Sequence, residues 1–217
     1  MGLKLKVDPE NPEDPALRYA ADFIRVGGLI VFPTDTLYGI GGSALSRRAI
    51  FEIYEIKKRE EKKPIPLLVE SIESLNLIVS DISPQAQMLI DKFWPGPLTL
   101  VFNSSHLLPD ILTQERKTIA VRIPASKLCM SLLKLSGCPI TATSANLAGE
   151  PTPKSVAEIE NQLGFGIDLY LDAGELPETK PSTIVDMTSP IPKLLRAGAI
   201  SLDRIKEIVP NITHNGS

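Results

Sequence analysis

The chain is poor in the residues on which several common chemistries depend. Of its 217 residues two are cysteine and two are histidine. Cys129 and Cys138 are too few for a disulfide framework, and His106 and His214 do not complete a zinc-ligand set with them, so no metal site is expected and both thiols are read as structural. The longest aliphatic runs, Leu29-Ile30-Val31-Phe32 and Leu98-Thr99-Leu100-Val101-Phe102, fall far short of the ~20 apolar residues of a membrane span. No basic excess exists either: the formal net charge is -3, whereas a surface that grips nucleic acid broadly carries one, so any basic site must be local. A G-x-x-x-x-G-K-[ST] phosphate loop is missing. The start, Met1-Gly2-Leu3-Lys4-Leu5-Lys6, has no apolar signal core, and Lys6 stands where a myristoylation motif wants Ser or Thr, so a cytoplasmic location is expected.

What is present is a globular composition, 43% hydrophobic and 23% charged, with chain enough for one substantial domain. That domain is expected to span 12–209, with 210–217 a flexible tail. Leu17, Ala20, Ala21 and Ile24 recur at helical spacing until Gly27-Gly28, and Ile50, Ile53 and Ile56 mark a second helix. Further helices are predicted over 84–93, 126–135, 154–163 and 202–208. Strands are predicted over 29–32, 65–69, 98–102, 118–123, 140–143, 168–171 and 183–186. The alternation implies an α/β fold, one twisted mixed sheet flanked by helices. Most of the 19 prolines fall at element ends, as rigid corners require.

Four segments have the composition of a ligand site. Pro33-Thr34-Asp35-Thr36-Leu37-Tyr38-Gly39-Ile40-Gly41-Gly42 reads as a polar, glycine-rich loop after a buried strand, where α/β sheets bind ligands. Its partial G-x-G-x-x-A match is accidental, because six residues separate Phe32 from Gly39. Lys57-Lys58-Arg59-Glu60-Glu61-Lys62-Lys63 supplies the local positive charge that polyphosphates seek, although such runs also suit a solvated helix end. Thr143-Ser144-Ala145-Asn146 ends a strand with small polar residues that admit an anion to backbone amides. Ser144 has no histidine base near it in the chain, which favours a hydrogen-bond donor over a nucleophile. Pro181-Ser182-Thr183-Ile184-Val185-Asp186 and Leu194-Leu195-Arg196-Ala197-Gly198 add a hydroxyl and an arginine at strand edges.

In order, these segments, with FWPGPLTLV at 93–101 and AVRIP at 120–124, resemble the YrdC-like family of threonylcarbamoyl-AMP synthases. The resemblance implies an α/β twisted sheet around a positively charged pocket. It also implies condensation of L-threonine, bicarbonate and ATP to threonylcarbamoyl-AMP and pyrophosphate, the work of a nucleotidyltransferase. A separate tRNA threonylcarbamoyl transferase complex would receive the product. By that resemblance Thr34, Arg122, Ala142 and Ser182 hold threonine. Arg59, Lys63, Thr118, Ser144, Thr152 and Arg196 contact ATP, and Lys57, Arg59, Ser144 and Asn146 form the catalytic set. Mg2+ would arrive with ATP, held by phosphate oxygens.

The chain departs from the family pattern at Lys57-Lys58-Arg59-Glu60, where K-G-R-P is usual, and at Lys63 and Leu68, where some members carry Asn and His. The length matches the short, single-domain form. Two alternatives stay open on sequence alone: a YciO-like RNA-binding protein without synthase activity, and a carbamoyl-adenylate enzyme with another acceptor. Against the first, few aromatics accompany the basic segment, so a stacking surface for single strands is not evident and only weak tRNA binding is expected.

Overall fold

The computed structural model describes residues 2–11, 13–58, 64–113 and 117–214. In chain order the elements are β1 (Leu3–Lys6), α1 (Pro15–Arg25), β2 (Ile30–Pro33), β3 (Tyr38–Gly41), α2 (Arg47–Ile56), β4 (Leu67–Leu68), α3 (Ile72–Ile78), α4 (Pro84–Phe93), β5 (Leu98–Asn103) and α5 (Asp110–Thr113). There follow β6 (Thr118–Arg122), α6 (Lys127–Ser136), β7 (Ile140–Thr141), β8 (Thr143–Ser144), α7 (Val156–Leu163), β9 (Leu169–Asp172), β10 (Thr183–Asp186), β11 (Lys193–Arg196), α8 (Leu202–Lys206) and β12 (Thr213–His214).

Serine starts most of the helices. Ser46, Ser71, Ser83, Ser126, Ser155 and Ser201 each accept a hydrogen bond from the backbone N–H three residues on, which satisfies a donor the first turn leaves unpaired. α1 uses Asp14 instead, with Pro15 at its first position. The apolar stripes then decide the layers. α1 and α6 pack on one side, burying Leu17, Ala20, Ile24, Leu128 and Leu132 against Ile30, Phe32, Leu169 and Leu171. α2, α3, α4 and α7 bury Ile50, Ile53, Leu75, Leu89 and Ile159 on a larger core that includes Val31, Ile40, Leu100 and Val121.

The mixed α/β architecture is as expected, but the sheet is not one. Strands β1-β9-β2-β3-β8 form one sheet and β12-β11-β10-β5-β6-β4-β7 another. They meet where residues 140–144 leave β7 and enter β8, and a Ser43–Ile140 bridge spans the junction. The glycine-rich segment expected as a loop is instead a hairpin, with β3 antiparallel to β2 and only 34–37 turning between them. Glycine is needed in β3 for approach rather than for flexibility: a Cβ on Gly41 would stand 1.6 Å from the Thr141 carbonyl oxygen. The packed structure also extends beyond 12–209. β1 pairs with β9, Ile212 is buried, and β12 pairs with β11.

Candidate active site

Strand register builds the floor of the main cavity. Arg196 lies opposite Ile184, Ile184 opposite Thr99, and Arg122 opposite Leu68. Thr99 and Arg122 face each other one step beyond the Leu100–Val121 pair. Residues directly opposite share a sheet face, so Arg196, Ile184, Thr99, Arg122 and Leu68 form a row across five strands, and all five line one cavity of about 1000 Å³. A register shift in β11 completes the row. Val185 pairs with Leu194, yet Ile184 pairs with Arg196, so the extra residue turns the arginine toward the cavity.

Hydroxyl groups connect Thr99 to Arg196. Thr99 Oγ1 lies 2.8 Å from Ser182 Oγ, and Arg196 donates from Nη2 to Ser182 Oγ at 3.0 Å and to the Ser182 carbonyl at 2.7 Å. Arg122 donates from Nη1 to both carboxylate oxygens of Asp35, at 2.7 and 2.8 Å. Burial, and then the nearby Arg122 charge, lower the Arg196 pKa below the ordinary arginine value. Two guanidinium groups that repel each other across a recess favour an anion between them. Gly198 lets the chain fold back here, since a Cβ on it would stand 2.3 Å from the Pro181 carbonyl oxygen.

The opposite wall comes from the hairpin turn, residues 142–144, residues 152–154 and a strap over 173–181. Thr34 locks the turn, accepting from the Thr36 and Leu37 N–H groups at 3.1 Å and donating to the Leu37 carbonyl at 2.7 Å. The strap is pinned at its root by Tyr38, whose hydroxyl donates to the Gly174 carbonyl at 2.8 Å and accepts from Ala173 N–H at 2.9 Å. Burial pushes the Tyr38 pKa up to about 12. Further along, Leu176 N–H donates to the Lys154 carbonyl and the Thr179 hydroxyl to the Thr36 carbonyl.

Of the residues the sequence pointed to, Thr34, Arg122, Ala142, Ser144, Thr152, Ser182 and Arg196 converge on this cavity. Lys57 and Asn146 stand behind the wall instead. Lys57 is 2% exposed and its Nζ donates to the Ser144 carbonyl, to the Asn146 carbonyl at 2.5 Å and to Asn146 Oδ1 at 3.3 Å. Ser144 Oγ donates to Asn146 Oδ1 at 2.5 Å, and Asn146 Nδ2 donates to the Glu150 carbonyl at 2.6 Å. Lys57 thus tethers the segment that carries Ser144. Thr118 occupies the outer end of β6, opposite Asn103 and beyond the lining residues. Arg59 and Lys63 lie outside the described residues. The structure adds Thr99, Leu176, Glu178 and Thr179 to the lining. Only Thr99 carried a sequence signal, as the lone hydroxyl within the apolar run Leu98 to Phe102.

These features define an α/β protein with an anion-receptive recess, the buried Arg122 and the more exposed Arg196 on its floor and the hydroxyls of Thr99 and Ser182 beside them. Residues 22–198 match the family model Sua5/YciO/YrdC, described as telomere recombination, and the chain belongs to that family. The threonylcarbamoyl-AMP synthase of Pyrococcus abyssi is 39% identical over 203 residues, covering 94% of this chain and 60% of that protein. The putative threonylcarbamoyl-AMP synthase of Methanocaldococcus jannaschii is 34% identical, over 94% of this chain and 99% of its own length. The crystal structure of P. abyssi Sua5 complexed with L-threonine superposes with a TM-score of 0.91 at 37% identity, covering 99% of this chain and 62% of that one. Escherichia coli YciO superposes with a TM-score of 0.86 at 28% identity, over 94% of this chain and all of that one. The chain therefore spans 60% of the P. abyssi relative and nearly the whole of the M. jannaschii one.

Proposed function

We propose that the chain is an L-threonylcarbamoyl-AMP synthase, a nucleotidyltransferase that condenses L-threonine, bicarbonate and ATP to threonylcarbamoyl-AMP and pyrophosphate. The observation that carries the reading is the row of Arg196, Thr99 and Arg122 across the cavity floor, with Ser182 hydrogen-bonded to two of them. The substrate named for the P. abyssi complex, L-threonine, suits such a floor: its carboxylate would take Arg122, and its hydroxyl would find Thr34 and Ser182. ATP would lie between Arg196, Thr152 and Ser144.

The threonine amine forms an N–C bond to the carbon of bicarbonate, whose hydroxyl leaves as water with an amine proton, and an oxygen of the resulting carbamate attacks the α-phosphorus while pyrophosphate leaves. The protein's work in that step is alignment and stabilisation of developing negative charge. Arg196 remains a cation near neutral pH and faces the phosphates. Ser144 donates a hydrogen bond to a reacting oxygen, while Lys57 fixes the backbone that carries it. Mg2+ would enter with ATP on the phosphate oxygens and help neutralise the leaving group. The product would pass in the cytoplasm to a tRNA threonylcarbamoyl transferase complex.

The reading is tested by incubating the protein with ATP, bicarbonate and each amino acid in turn, following pyrophosphate. Release that requires both bicarbonate and threonine supports it. Release driven faster by another amino acid would reassign the acceptor.

A further inference from the structure

Asp35 does not line the cavity, yet it makes the closest ionic contact of a residue that does. Both of its oxygens bind Arg122 Nη1, and the two side chains are 13% and 7% exposed. The carboxylate is held where the chain has little freedom, in the 34–37 turn between β2 and β3 that Thr34 locks with its own hydroxyl. A guanidinium is planar and rigid, so fixing one nitrogen fixes the direction of the others. Among the described residues no hydrogen bond reaches Arg122 Nη2 or Nε. Those are the atoms left for a ligand, and their aim is set from behind by Asp35.

We propose that Asp35 is a positioning residue for amino-acid recognition: it grips Arg122 by one nitrogen and turns the remaining edge of the guanidinium to receive the substrate carboxylate. The proposal rests on the functional reading above. An alternative role, a clip that merely fastens the hairpin turn to β6, makes a different prediction. A clip affects stability and every kinetic constant together, whereas an aiming device acts on the amino acid alone.

The test is steady-state pyrophosphate release by wild type, Asp35→Asn and Asp35→Glu, with thermal unfolding of each. Asp35→Asn should raise the KM for threonine roughly ten-fold to a hundred-fold, the scale of a misplaced binding group, while the KM for ATP stays within about two-fold. Asp35→Glu retains the charge pair and the turn but shifts the carboxylate by one methylene. It should keep the wild-type melting temperature and still raise the threonine KM, which keeps the proposal testable should Asp35→Asn fail to fold. A wild-type threonine KM in folded Asp35→Glu, or parallel losses in the ATP and threonine constants, would overturn it. Wild-type protein with no threonine-dependent release would overturn the functional reading itself, and the inference with it.

Discussion

Replacing Ser144 by alanine separates chemistry from stability more cleanly than any other change at the site. Among the described residues the hydroxyl makes one side-chain hydrogen bond, to Asn146 Oδ1, and that oxygen keeps its hydrogen bond from Lys57 when the serine is lost. Ser144 is only partly buried, so the cost of removing a single neutral hydrogen bond is about 0.5 to 1.5 kcal/mol. In a domain of this size each kcal/mol lowers the melting temperature by roughly 2 to 4 °C. Turnover should fall much further, by roughly ten-fold to a thousand-fold, the loss typical of one donor that strengthens in the transition state. Parallel measurements of melting and of threonine-dependent pyrophosphate release compare the two effects. Intact-protein mass spectrometry during turnover should show no adduct on the chain. A covalent threonylcarbamoyl or adenylyl group on Ser144, or turnover unchanged in the variant, refutes the assignment of Ser144 as a noncovalent donor.

Lys57→Met should act on stability first. It leaves the Ser144 and Asn146 carbonyls without their ammonium donor at a buried position, at about 1 to 3 kcal/mol each, so chemical denaturation should report a loss of several kcal/mol, and a wild-type midpoint would contradict the tether. Alkaline pH should weaken the fold, because burial raises Cys129 from 9.0 to about 12 and Tyr38 and Tyr170 from 10.0 to about 12. The neutral forms are favoured in the folded state, so this contribution is complete below about pH 9 and is lost as pH rises to about 12. Urea unfolding at pH 8 and pH 11 should show the decline, and less of it in Tyr38→Phe. Naked tRNA should bind weakly and lose affinity steeply with salt, as expected for a chain of net charge -3 with a single basic cluster; tight, sequence-selective binding in a gel-shift at physiological salt would restore the RNA-binding alternative.

The parts of the fold that local chemistry specifies could be read from the chain. α4 begins at Ser83-Pro84, a cap followed by the residue best suited to a first turn, and its observed limits match the predicted 84–93. β5 and β6 were legible for the same reason, as apolar runs too short for helices. β3 was not, because Tyr38-Gly39-Ile40-Gly41 has the composition of a loop, and only the close passage of the Thr141 backbone explains glycine in a strand. β12 is a two-residue exposed edge strand, too short to carry a pattern, and β1 has the alternation of a strand in Leu3-Lys4-Leu5-Lys6 but only four residues of it, which read merely as a start without an apolar core. At the site, short motifs pointed to Arg122, Ser144, Ser182 and Arg196, but their relation depends on strand register and on one bulge in β11. Neither is encoded locally. The bond from Asp35 to Arg122 joins residues 87 positions apart, and no spacing rule connects them. Lys57 was legible as part of a basic cluster and misleading as such, since tertiary packing draws it inward to two carbonyls.

The most direct test of the central claim is the identity of the product. The protein should be incubated with ATP, Mg2+, L-threonine and 13C-labelled bicarbonate, and the nucleotides separated and weighed by mass spectrometry. The account predicts an adenylate that carries both threonine and one labelled carbon, formed in step with pyrophosphate. ATP turned over to AMP or ADP with neither threonine nor label in any nucleotide would contradict it.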